Sequence, residues 1–375
     1  MNMKLIATAT FGLEAVVKRE IEALGFEILW AEDGRICFAG DERALVQANL
    51  WLRTADRVYM LLADFTARSF QELIDHSEAM PWGDWLPKDG RYVVTGSSVK
   101  SVLHSVPACQ ATIKKSIISV LSKKYRTDRF DEKGDTYTIR FSALKDRFLI
   151  MLDSSGEALH KRGYRIKDVS APIKETLASA MVQLSFYKAG RFLVDPMCGS
   201  GTIAIEAAML ARNIAPGLSR SFAAMNWSFI PADLWKEEKK KAFAAIDYNA
   251  DVKIKASDID KRAIFAARAN AVEAGVDDCI DFTIADARDL EAEVEDGIIV
   301  TNPPYGERIG EKEDLKHLYN SLSKFCRLNP GWSLFLITAD EAFEKQFGRN
   351  ADRRRKLFNG NIRACYYQYH GVRKK

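Results

Sequence analysis

Two stretches of this 375-residue sequence combine residue types that can do chemistry. The first is Asn302-Pro303-Pro304-Tyr305, which follows the apolar run 298–301. An amide at the end of a strand, held by two residues of fixed φ, gives two acceptors facing one point. They are the Asn302 carboxamide oxygen and the Pro303 carbonyl, freed because proline cannot continue a ladder. Such a pair can hold an exocyclic amine with its lone pair aimed at an electrophile, while Tyr305 stacks on the base that carries it. Moving a methyl group to that amine needs alignment more than a strong base, because the proton can leave after attack. A plain turn would use the same four residues, but the strand directly before them favours the chemical reading.

The second stretch is 192–202, FLVDPMCGSGT. An apolar strand ends at Asp195, a loop carries Cys198, Gly199 and Gly201, and a helix begins near Thr202. Permissive backbone at the carboxyl end of a strand, with free amides at a helix start, is where a nucleotide crosses an α/β sheet. The loop lacks the Gly-Lys-Ser/Thr of a phosphate loop and the GxGxxG of a dinucleotide fold. An acid beside the glycines suits a cofactor bearing cationic groups better than a pyrophosphate, and a tight structural turn is the plain alternative. Asp258, after the run 252–257, is placed to accept from ribose hydroxyls, with Asp260 as the alternative or as a helix N-cap. Asp286, after 280–284, could accept from an adenine amino group or lie on a surface turn. Cys198 reads as a small packing residue, since no Cys-His pairing marks it as a nucleophile. His104 and His160, on a basic surface, read as RNA or structural contacts and not as acids or bases.

These residues need a scaffold, and the pattern supplies one from about residue 171 onward. A helix over 172–188 precedes strand 192–195, helix 200–212, strand 252–257, helix 260–273, strands 280–284 and 298–301, helix 313–326 and strand 332–337. Strands alternating with helices of this length predict a parallel sheet, closed by an antiparallel strand in IRACYYQYH. The cofactor pocket should then be built after 171 alone. Residues 212–251 are long for a connection, and Trp227, Phe229, Leu234, Trp235 and Phe243 make them an ordered subdomain packed beside the site. Before 171 the chain reads as two small α+β regions, 1–65 and 66–165. The first has strands at 3–9 and 57–65, helices near 13–24 and 41–53, and a hairpin around Asp33-Gly34. The second has helices near 69–80 and 109–122 and strands at 91–96, 136–142 and 146–152.

Composition narrows the partners. Lys and Arg number 55 against 51 Asp and Glu, for a net charge of +4, which permits nucleic acid without requiring it. The positive excess gathers between 100 and 167, where Lys114 and Lys115 flank an apolar helical stripe and remain free to meet phosphate. A solvated helix is the bland reading. Arg353-Arg354-Arg355-Lys356, before the last strand, is either an RNA rim or a solvated run. The six cysteines do not pair closely and the five histidines do not cluster with them, so no metal centre is expected. No secretory or membrane-spanning run is visible, and the cytoplasm is the expected location.

The chain resembles the bacterial 23S rRNA guanine-N2 methyltransferase family, once labelled N6-adenine-specific DNA methylases, in its short single-activity form. The resemblance rests on Asp195-to-Thr202 and Asn302-to-Tyr305. It extends through ALHKRGYR at 158–165, APIKETLA at 171–178, NIAPGLSRSFAAMNWSF at 213–229 and RKLFNGNIRACYY at 355–367. It implies an α/β Rossmann-like class I methyltransferase domain over 166–375, with an insertion at about 212–251. Ahead of it stand a ferredoxin-like α+β domain, 1–65, and a THUMP-like RNA-binding domain, 66–165. It also implies S-adenosyl-L-methionine as cofactor, with Asp195, Cys198, Gly199, Gly201 and Thr202 on its methionine part, Asp258 on ribose and Asp286 on adenine. Asn302, Pro303, Pro304 and Tyr305 would hold the target amine. Ser98, Lys100, His104, Lys114, Lys115, Arg353 and Arg354 would meet 23S rRNA or a large-subunit precursor. Two other functions stay open: an adenine-N6 methyltransferase on DNA or RNA, and a non-catalytic rRNA assembly factor.

Overall fold

A computed structural model describes residues 3–167, 172–304, 311–360 and 362–372. The first sheet has seven strands: β1 (Met3–Ala9), β2 (Ile28–Glu32), β3 (Arg35–Gly40), β4 (Ala55–Thr66), β5 (Arg91–Val99), β6 (Thr136–Leu144) and β7 (Arg147–Asp153). Their order is β2-β3-β1-β4-β7-β6-β5. Strands from 1–65 and from 66–165 therefore form one continuous sheet, joined where β4 pairs antiparallel with β7. Helices α1 (Glu14–Ala23), α2 (Glu42–Trp51), α3 (Phe70–Glu78) and α4 (Val106–Tyr125) connect them. The starts of three are set by side chains: Asp41, Ser69 and Ser105 each accept from the backbone N–H three residues on. The parallel β5–β6 pair is bridged by α4, the crossover such a pair requires.

The second sheet contains β8 (Phe192–Asp195), β9 (Lys253–Asp258), β10 (Ile280–Ile284), β11 (Ile298–Thr301), β12 (Ser333–Thr338), β13 (Arg353–Asn359) and β14 (Ile362–Tyr369), in the order β10-β9-β8-β11-β12-β14-β13. Helices α5 (Glu175–Leu184), α6 (Thr202–Ala211), α7 (Ala232–Ala244), α8 (Lys261–Glu273), α9 (Glu311–Leu328) and α10 (Phe343–Phe347) accompany it. Strands β8 to β12 run parallel and β14 and β13 antiparallel. From β8 the chain builds outward to β9 and β10, then crosses back to place β11 on the other side. The gap between β8 and β11 is the topological switch point, where ligands of open α/β sheets bind at the carboxyl ends of the strands.

Three expectations need correcting. The helix expected over 172–188 is only α5; it stops because Ser185 caps it and exposed Phe186 takes a left-handed φ of 58°. The basic run 353–356 does not merely precede a strand: it lies on one, β13, at the sheet's edge, where charged side chains suit the side that has no neighbouring strand. The aromatic residues of 212–251 pack away from the switch point. Phe222, Trp227, Ile230 and Trp235 are buried in the core of the first sheet, with Phe222 stacked on Trp235 at 5.2 Å, whereas Phe243 is exposed. This segment ties the second half to the first. Among the described residues no helix is long and apolar enough to cross a membrane.

Candidate active site

The switch point brings the two chemical motifs together. Asp195 ends β8 and is buried, and its Oδ1 accepts from the Thr301 hydroxyl at 2.9 Å and from the Met197 N–H at 3.3 Å. Thr301 is the last residue of β11, so this bond joins the loop after β8 directly to Asn302 and Pro303. Two buried acceptors there have no partner among the described residues: Asp195 Oδ2 and Asn302 Oδ1. A buried polar atom without a partner is costly, so a ligand that donates to both would remove the cost. Burial pushes the Asp195 carboxyl up to about 7, against the Thr301 hydrogen bond, and the nearby Asp258 carboxylate adds to the rise. A cationic ligand group would restore its charge.

The loop itself is shaped by backbone. Gly201 has φ +82° at the start of α6, and a Cβ there would lie 3.0 Å from the Ala267 Cβ, so both conformation and space require glycine. Asp258, at the end of β9, accepts from the Gly199 N–H at 2.9 Å and from the Asp260 N–H at 2.9 Å, holding the loop open across the β8–β9 boundary. Asp260 is the N-cap of α8, accepting from the Arg262 N–H. Cys198 is buried with its thiol pushed well above its usual range by burial, and its N–H donates to the Ser257 carbonyl, which fits a packing residue. The Thr202 hydroxyl is buried and accepts from Arg165 Nη2 at 3.0 Å. Asp286 caps a short turn and holds Arg288 with both oxygens. Pro303 is buried and Pro304 exposed; Tyr305 lies outside the described residues.

Polar residues outside the predicted site set support the loop after β8. Arg165 joins the Ile173 carbonyl (2.7 Å), Thr202 and Glu175 (3.3 Å). Glu175 is itself buried and pushed up to about 7 by desolvation. Asn270, fully buried on α8, accepts from the N–H groups of Ile166 and Lys167 and donates to the carbonyls of Lys167 and Ser200, all at 3.0–3.1 Å. The cofactor loop therefore leans on residues 165–167, and the pocket is not built after 171 alone. A polar Asn amid the alanines of an apolar helical stripe was the available signal. Beside it, Arg162 and Glu206 form a buried ion pair (3.3 Å), and Tyr164 donates to the same carboxylate at 3.1 Å.

The expected RNA residues are scattered. Ser98 donates to the Leu103 carbonyl at 2.8 Å, and His104 Nδ1 lies 3.0 Å from the Val102 carbonyl. Lys114 is not free as expected: it pairs with Glu132 at 2.7 Å. Lys100, Lys115 and Arg353 are exposed, and Arg354 pairs with Glu344 at 2.8 Å. His160 is pushed down to about 4 by burial and by Lys174 and its neighbouring cations, so it stays neutral near pH 7. Among the described residues no group of His, Cys, Asp and Glu could hold a metal.

Three family models match the chain. Residues 162–368 match the family described as "RMKL-like, methyltransferase domain", residues 4–59 the RlmL ferredoxin-like domain and residues 67–153 the THUMP domain. The chain is 46% identical to the Bacillus subtilis (strain 168) protein "Putative RNA methyltransferase YpsC", covering 97% of this chain and 95% of that one. It is 32% identical to the ribosomal RNA large subunit methyltransferase K/L of Cellvibrio japonicus (strain Ueda107), over 96% of this chain and 50% of that one, so it spans half that relative's length. The solved structure of SMU.472, "a putative methyltransferase complexed with SAH", superposes with a TM-score of 0.93 at 38% identity, over 100% of this chain and 99% of that one.

Proposed function

Because this chain belongs to the RMKL-like family of class I S-adenosylmethionine-dependent methyltransferases, with ferredoxin-like and THUMP elements before the catalytic sheet, we propose that it methylates the N2 amine of a guanine in 23S rRNA. The observation that carries this reading is the Thr301–Asp195 bond, which ties the loop after β8 to the strand end that leads into Asn302, with an orphaned oxygen on each of Asp195 and Asn302. When bound, S-adenosylmethionine supplies an electrophilic methyl on a sulfonium. Asp195, with Cys198, Gly199, Gly201 and Thr202, would hold its methionine part, the carboxyl ionising against the ligand's positive charge. Asp258 would take the ribose. Asp286 has the weakest support for adenine, because Arg288 already occupies both its oxygens.

Asn302 Oδ1 and the Pro303 carbonyl would accept the two N–H bonds of the exocyclic amine and turn its lone pair toward the methyl. Pro303 and Pro304 fix that geometry, and Tyr305 would stack on the base. The target base would have to leave its helix to reach this pocket. The boundaries near 65 and 165 belong to the same reading, with the first sheet binding RNA and the second carrying the chemistry. RNA as substrate draws on the names of the B. subtilis and C. japonicus relatives and on the THUMP match. A silent assembly factor would not need Asp195, Asp258 and Asn302 in this arrangement. A nucleoside digest of rRNA from a strain lacking the gene tests the assignment. The expected result is loss of part of the N2-methylguanosine signal, restored by the intact gene; loss of N6-methyladenosine instead would make the adenine reading correct.

A further inference from the structure

Two phenylalanines from opposite halves of the chain meet in the open. Phe11, in the loop between β1 and α1, is 52% exposed; Phe358, on β13, is 37% exposed; their ring centroids are 6.4 Å apart at 75°. Single exposed rings are common and need no explanation, but the backbone around this pair is built to hold it. Arg355 Nη1 donates to the Gly12 carbonyl at 2.7 Å, and Gly12 (φ +89°) presses so close to β13 that a Cβ would sit 2.7 Å from the Lys356 carbonyl oxygen. The loop is fixed along the free edge of the strand.

The register places the pair at the catalytic edge. Thr338, which ends β12, pairs with Cys365 of β14, and Phe358 pairs with Arg363, two positions further along. The β13–β14 hairpin thus overhangs β12 by roughly 7 Å at Phe358. Since β12 runs parallel to β11 and β8, the overhang is on the edge that carries Asp195, Asp258 and Asn302, on the Asn302 side of the switch point. Directly paired residues, and residues two apart on a strand, share a face. Phe358 therefore lies on one face with Lys356 and Arg363, both exposed. An aromatic ring flanked by two cations matches an unpaired nucleotide: the base stacks on the ring whatever its identity, and the adjoining phosphates meet the cations.

We infer that Phe11 and Phe358, with Lys356 and Arg363, form a stacking platform for an unpaired nucleotide of the RNA that neighbours the target base. The inference rests on the reading of RNA as substrate. It predicts that Phe11→Ala/Phe358→Ala lowers kcat/KM for methylation of protein-free 23S rRNA by about tenfold or more, the loss of one stacked base, and weakens binding of a short oligouridine likewise. Affinity for S-adenosylmethionine should be unchanged, which also shows that the variant is folded. With Phe11 intact, Phe358→Trp should keep full activity and Phe358→Leu should not, because leucine keeps the apolar surface but has no π-face. A double alanine variant within about twofold of wild type in both assays would overturn the platform. So would equal activity of the Leu and Trp variants, which would mark an apolar contact that needs no π-face. If wild type transfers no methyl to rRNA while the oligouridine affinity still falls in the double variant, the proposed function fails and the platform stands.

Discussion

The joint between the two sheets and the carboxyl edge of the second sheet are both buried and polar, yet the Arg162–Glu206 cluster of the joint is closed on itself where the edge is not, although Arg53 Nη1 and Thr54 Oγ1 beside that cluster also lack a partner among the described residues. At the joint, the Arg162 guanidinium reaches Glu206 and the carbonyls of Leu159 and Arg53, Glu206 also takes the Tyr164 hydroxyl, and Asn270 makes four hydrogen bonds. At the edge, Asp195 Oδ2 and Asn302 Oδ1 are buried with no partner among the described residues. Saturated groups set position and are expensive to break. Unsaturated ones are held in place by neighbours such as Thr301 and Pro303 so that a ligand can complete them. In the proposed reading, the difference separates the residues that orient from the residues that meet a ligand.

The largest effect should follow from damage to the joint. Arg162→Ala leaves the Glu206 carboxylate buried and unpaired, and should cost about 3–5 kcal/mol of stability in urea unfolding. Replacing both partners with leucine should recover most of that loss; a double variant as unstable as the single one would show that the pair matters for more than its charges. Next is Asn302→Ala at the edge, expected to lower turnover by roughly a hundredfold, on the scale of one preorganised hydrogen-bonding group, without lowering the melting temperature.

The pH response should sharpen the contrast. Burial raises the Asp195 carboxyl from its unfolded value of about 3.9 to about 7, so the folded protein binds more protons than the unfolded chain between those values. Its contribution therefore favours the fold below about pH 4 and is lost as pH rises through 7. Affinity for a cationic cofactor should run the other way, tightening as pH rises through 7. Asp195→Asn should flatten both trends in part; Glu175, also raised to about 7, remains in the variant and keeps its own share of the stability trend. Paired titrations at several pH values check this, and an unchanged slope in Asp195→Asn would assign the response elsewhere.

The smallest effect concerns the basic helix α4. Lys115 is exposed while Lys114 is paired with Glu132, so Lys115→Ala should reduce the salt slope of RNA binding by roughly 0.7–0.9, one phosphate contact, and Lys114→Ala by less. Equal slopes in both variants would mean that the Glu132 pair opens on binding.

The site was legible where chemistry leaves a local trace. Asp195, Gly199, Gly201 and Asn302 announce themselves because a strand, a glycine turn and a proline pair are short-range patterns, and the alternation after residue 171 gave the parallel sheet that positions them. What could not be read was long-range. Nothing near Trp227 or Trp235 says that their partners lie in the first sheet, and nothing near Arg165 says that it reaches Thr202, because both depend on how two halves dock. The basic run at 353–356 hid its strand for another reason: charged residues on an edge strand lack the apolar alternation that marks a half-buried one. Asp286 shows the converse, a carboxylate in the expected place whose oxygens a neighbour two residues on has taken.

Under the proposed function Asp258 binds cofactor while Asn302 acts on the amine. Calorimetric titration of S-adenosylmethionine into wild type, Asn302→Ala and Asp258→Ala tests it most directly. Wild-type affinity is expected for Asn302→Ala and a loss of about tenfold or more for Asp258→Ala, the scale of a hydrogen bond to a charged group. Equal loss of affinity in the two variants would contradict it.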